Sequence, residues 1–160
     1  NLSNALAAVT VGCFFGVEPE KIDQALNEYE PRNNRSQLKK TADNTLIIDA
    51  YNANPTSMLA AIGNFRNMQA EKKMLILGDM RELGKDSAEE HQRIVDYLEE
   101  YGFEDVILVG ELFAATRHTY TTYPDAPALI AALQKHKPCR KTILIKGSNG
   151  IKLNTVVDYL

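Results

Sequence analysis

Three short apolar runs, TLII at residues 45–48, MLIL at 74–77 and TILI at 142–145, each end in a polar loop that leads into a helical pattern. The loops are DAYNANP (49–55), GDMRELG (78–84) and KGSNG (146–150). Runs this short, apolar throughout and flanked by turn residues, predict strands buried on both faces, as in a parallel sheet. The polar residues therefore gather at the carboxyl ends of strands, the edge at which open α/β sheets bind ligands. One crevice can collect all three loops.

The rest of the pattern agrees. Helical periodicity over 57–69, 87–101, 111–120, 126–136 and 151–160 alternates with the three runs and with a further strand at 105–109. Alternation of this kind predicts a Rossmann-like, doubly wound α/β fold, a mostly parallel sheet with helices on both faces. LKKTADNTLIIDAY predicts a hairpin turning at 42–44 into the first central strand. Two helix starts carry cap signatures: Asn54-Pro55, an N-cap followed by proline at the first helical position, and Ser87-Ala88-Glu89-Glu90, which fits a capping box.

Ahead of the alternation stand two helices. Residues 5–15 are the most apolar stretch, too short to span a bilayer, and read as a buried helix with Leu2, Ala5, Leu6, Val9 and Cys13 on one face. Pro19 opens a second helix that aligns Ile22, Leu26 and Tyr29. The polar connector EPRNNRSQ (30–37) marks a domain boundary between residues 1–30 and 31–160. A chain that opens on Asn1, already inside a helical pattern, reads as a piece of a longer protein.

Several function classes drop out. A net charge of −3 with cations spread along 160 residues gives no basic stripe for nucleic acid and no polybasic cluster for lipid. No segment predicts membrane insertion. Cys13 and Cys139 have neither disulfide nor zinc spacing and fit a reducing, cytoplasmic setting. His91, His118 and His136 are scattered and make no metal site. Neither GxxxxGK[ST] nor GxGxxG occurs, so the phosphates of any nucleotide must be held elsewhere.

DAYNANPTSM, GDMRELG and KGSNG, in this order and on these strand ends, resemble the C-terminal domain of the Mur ligases, and NLSNALAAVTVG resembles the last helix of that family's central ATPase domain. The resemblance implies ATP-dependent amide ligation in peptidoglycan precursor synthesis. ATP phosphorylates the carboxylate of a UDP-N-acetylmuramoyl-tripeptide, and the amine of D-alanyl-D-alanine attacks the acyl phosphate. Magnesium travels with ATP and is held mainly by the central domain, which with the N-terminal domain would be this chain's partner within the full polypeptide. The fragment alone should not turn over. A stand-alone doubly wound module that binds a nucleotide or small molecule without ligation is the alternative.

The resemblance also assigns residues, each with a plainer structural alternative. Asp49 falls at the nucleotide contact, where a carboxylate can accept ribose hydroxyls, or it caps a turn. Arg35 falls at the interdomain arginine, or is a solvated loop residue. Asn1 and Asn4, one helical turn apart, fall at the adenine, or are surface residues. Tyr51, Asn52 and Asn54 can orient nucleotide and dipeptide, with capping an equal role for Asn54. Lys146 and Ser148, ahead of the last helix, converge on an anion site for the dipeptide carboxylate or the acyl phosphate, and are the candidates for catalysis. The family's usual KGSR is KGSN here, so no role of that arginine carries over to Asn149. Asp79 and Glu82 either hold the amine or fix their own loop. His91 reads as a hydrogen-bonded core histidine rather than a base.

Overall fold

The computed structural model describes residues 2–29 and 36–160; Asn1 and Arg35 lie outside the described residues. The chain divides into two compact units, Asn1–Pro31 and Arg32–Leu160.

The first unit holds α1 (Leu2–Phe14) and α2 (Pro19–Asn27). The expectation of a buried α1 is not met. Leu6 is 57% exposed and Phe14 82%, and α2 buries no residue. Two short helices cannot enclose so apolar a face by themselves.

In the second unit β1 (Gln37–Lys40), β2 (Thr45–Asp49), β3 (Lys73–Gly78), β4 (Val106–Val109), β5 (Thr121–Tyr123) and β6 (Thr142–Lys146) form one sheet in the order β1-β2-β6-β3-β4-β5. β1 runs antiparallel to β2 through the expected hairpin, and every other pairing is parallel. The doubly wound sheet read from the sequence is the one that forms.

Strand periodicity divides the apolar residues between two faces. Leu46, Ile48, Met74, Ile76, Ile143 and Ile145 pack on one side with α6 (Ala126–Leu133) and with Leu153, Val156, Val157 and Leu160. Leu75, Leu77, Leu108 and Leu144 pack on the other with α3 (Pro55–Asn67), α4 (Ser87–Glu100) and Phe113 of α5 (Glu111–Ala114). The chain thus leaves β2 and β3 toward one face and leaves β6, which lies between them, toward the opposite face. A reversal of this kind is where open α/β sheets place their ligands, beyond the carboxyl ends of the strands.

Three local readings are corrected. The helix expected over 111–120 stops at Ala114, where the Thr116 hydroxyl donates to the Phe113 carbonyl at 2.6 Å, and the chain then adds β5. The helix expected over 151–160 is instead two 3-10 segments, Asn149–Ile151 and Leu153–Tyr159, separated by Lys152 in a left-handed conformation (φ 57). Thr155, Val156 and Val157 are β-branched and weak α-helix formers, yet the expected stripe of Leu153, Val156, Val157 and Leu160 is buried. The capping box expected at Ser87 does not form, because a 3-10 turn, Gly84–Asp86, leads directly into α4. The reciprocal box belongs to α3: Asn54 Oδ1 accepts the Ser57 N–H at 2.8 Å, and Ser57 Oγ accepts the Asn54 N–H at 3.1 Å.

Candidate functional site

Because β2, β6 and β3 are neighbours, the DAYNANP, KGSNG and GDMRELG loops emerge side by side. Asp49 and Lys146 are direct register partners at the last rung of β2 and β6. Lys146 Nζ donates to Asp49 Oδ2 at 2.6 Å and to the Asn52 carbonyl at 3.2 Å. The lysine side chain is 1% exposed and the aspartate 21%. In such surroundings a cation is tolerable only with its charge matched and its N–H groups used. Lys146 therefore fixes Asp49 and the start of the DAYNANP loop from inside. The other oxygen, Asp49 Oδ1, accepts the Ser36 N–H at 3.3 Å, and the carboxylate as a whole stays partly accessible. Tyr51 next to it is 46% exposed.

The anion site expected ahead of a last α-helix is not built that way. The segment after Ser148 is a three-residue 3-10 turn, and the lysine charge is spent on Asp49. Ser148, 4% exposed, joins two loops instead: its N–H donates to the Asp79 carbonyl at 3.2 Å, and its Oγ accepts the Arg81 N–H at 2.8 Å.

Asp79 turns its carboxylate onto backbone N–H groups of α5. Its carboxylate accepts the Leu112 N–H at 3.0 Å and the Phe113 N–H at 2.9 Å, capping α5 from another loop. Gly110 makes this possible. It has φ 124, and a Cβ there would lie 2.2 Å from Asp79 Cγ. Glu82 is exposed, with φ 72 that turns the loop away from the sheet.

His91 is wholly buried, as expected of a core histidine. Nε2 lies 3.0 Å from the Met80 N–H and Nδ1 lies 2.6 Å from the Ser87 carbonyl. An N–H can only donate and a carbonyl can only accept, so the ring is neutral with its proton on Nδ1. It anchors the GDMRELG loop to α4. Sequence reasoning did not single out Gly110 or Arg81, although a glycine joining strand directly to helix was a signal of a special backbone angle.

Asn52, Asp49 and Lys146 are thus brought together, and Asp79 and Ser148 meet through the backbone. Asn54 spends its side-chain oxygen on the cap. Asn4 is exposed on α1, in the first unit.

Residues 34–149 match the family model described as Mur ligase, glutamate ligase domain. The chain belongs to the Mur ligase family. Over its whole length it is 34% identical to the UDP-N-acetylmuramoyl-tripeptide–D-alanyl-D-alanine ligase of Bacillus subtilis, of which it spans 37%. The corresponding ligase of Escherichia coli is 31% identical, again over the whole chain, with 36% of that protein covered. Among solved structures, MurF from Acinetobacter baumannii superposes with a TM-score of 0.75 at 30% identity over 99% of this chain and 36% of that one. MurF from Thermotoga maritima, solved with ADP, has the same fold at 19% identity, with a TM-score of 0.76 over 94% of this chain and 35% of that one. The chain therefore spans somewhat over a third of the length of these relatives. No described helix is long and apolar enough to cross a membrane.

Proposed function

We propose that this chain is the C-terminal part of a cytoplasmic, ATP-dependent amide ligase that joins D-alanyl-D-alanine to UDP-N-acetylmuramoyl-tripeptide. The observation that carries this reading is the row of three loops on β2, β6 and β3, in a chain whose whole length is matched by ligases of that name. Asp49, oriented by Lys146 and partly accessible, is suited to accept ribose hydroxyls of ATP. Asn4 and Arg35 are assigned to the adenine and the phosphates, and residues 1–30 to the end of the central ATP-binding domain. Tyr51, Asn52 and the Asn54 amide flank the same loop and would orient nucleotide and dipeptide.

In this reading ATP transfers its terminal phosphoryl group to the tripeptide carboxylate, and the dipeptide amine attacks the carbonyl carbon. Phosphate leaves with the C–O electron pair, and the amine gives up a proton. Among the described residues no three His, Cys, Asp or Glu side chains group as a metal would require. The reading gives magnesium to the rest of the polypeptide, with ATP.

The complete enzyme supplied with ATP, magnesium and both substrates should release ADP and phosphate in step with amide product, and only when both substrates are present. This chain alone should form no ADP above background. Binding without product by the complete enzyme would favour a non-ligating module instead, and ADP release by this chain alone would overturn the division of labour.

A further inference from the structure

The carboxyl edge of the sheet carries five charged side chains on the three loops: Asp49, Asp79, Arg81, Glu82 and Lys146. Lys146 is neutralised by Asp49, and Asp79 by two backbone N–H groups. Arg81 is different. Its backbone N–H is tied to Ser148 Oγ at 2.8 Å, which fixes the root of the side chain between the β3 and β6 loops. The side chain then lies across Gly150. A Cβ on that glycine would stand 2.8 Å from Nη1, 3.0 Å from Cζ and 3.1 Å from Cδ, so the bare backbone of Gly150 lets the arginine lie close against the β6 loop. The residue is exposed, and among the described residues no ion pair or hydrogen bond involves its guanidinium. A fork of five N–H donors at this edge, with no acceptor of its own among the described residues, is matched to a planar or tetrahedral oxyanion.

We propose that Arg81, lying beside Gly150 between the β3 and β6 loops, binds an oxyanion of the reacting substrates, a role that the sequence points toward Lys146. The inference rests on the ligase reading above. A carboxylate of the dipeptide and the phosphate of the acyl phosphate share this chemistry, and the test separates them.

Arg81→Ala and Arg81→Lys are compared with the parent in the complete enzyme, using D-alanyl-D-alanine and its C-terminal amide. Removing a charge-assisted contact should cost about ten- to a hundredfold in kcat/KM for the dipeptide, while the ATP KM stays within about twofold. Lysine should restore part of the loss. If the anion is the dipeptide carboxylate, masking it as the amide penalises the parent but not Arg81→Ala. If it is the phosphate, kcat falls and masking costs both enzymes equally. Kinetics unchanged in an active enzyme, or equal losses toward all substrates with a lowered melting temperature, would overturn the proposal. A parent without ligase activity removes the underlying reading instead, and this inference with it.

Discussion

The pair Asp49–Lys146 shows how one contact can serve both stability and recognition. Lys146 is the more deeply buried partner, so the two truncations are unequal. Asp49→Ala strands a buried ammonium and should cost about 3–5 kcal/mol, whereas Lys146→Met leaves a carboxylate that water still reaches and should cost less. The double variant should be less destabilised than the sum of the singles, as urea melts would report. Additive losses would mean that the pair is not coupled. The sequence showed that both residues stand at strand ends, which is all that periodicity conveys. It did not show that they are register partners, because pairing of β2 with β6 is a long-range choice that joins residues 97 apart. Each was read as facing a ligand separately, when one positions the other.

At the scale of elements, local signals were most reliable where side chain and backbone meet within a turn. Asn54-Pro55 announced α3 because a cap is a contact over three residues. Asn54→Ala should cost about 1 kcal/mol, readable as a lowered midpoint in chemical denaturation with the slope unchanged. Gly110→Ala should be far worse, since a Cβ would collide with the carboxylate that holds α5; failure to fold, or loss of the cooperative transition, is the expected outcome. Signals failed where tertiary packing chose the conformation. The apolar spacing at Leu153, Val156 and Val157 satisfies a 3-10 turn as well as an α-helix, and β-branching tips the balance. In the same way α4 needs no capping box at Ser87, because the preceding 3-10 turn carries the chain into it and His91 takes the Ser87 carbonyl.

For the whole molecule, the fold class followed from alternation and buried runs, but the strand order did not. Nothing within any single strand says that the last one enters between β2 and β3. The second unit, Arg32–Leu160, contains the entire sheet and both core clusters. Removing residues 1–16 should therefore leave a cooperative thermal transition with nearly the parent midpoint, and its disappearance would show that α1 supports the sheet. The opposite end has the contrary character. β6 supplies Ile143, Leu144 and Ile145 to the middle of the core and is flanked on both sides by strands made much earlier. A ribosome making this protein thus releases β2 and β3 with a strand-wide slot between them, lined with unpaired N–H and C=O groups and apolar side chains, and the piece that fills it emerges well after both. Any premature stop between α4 and β6 yields a product that carries the empty slot permanently, a template for other extended chains and a substrate for quality control.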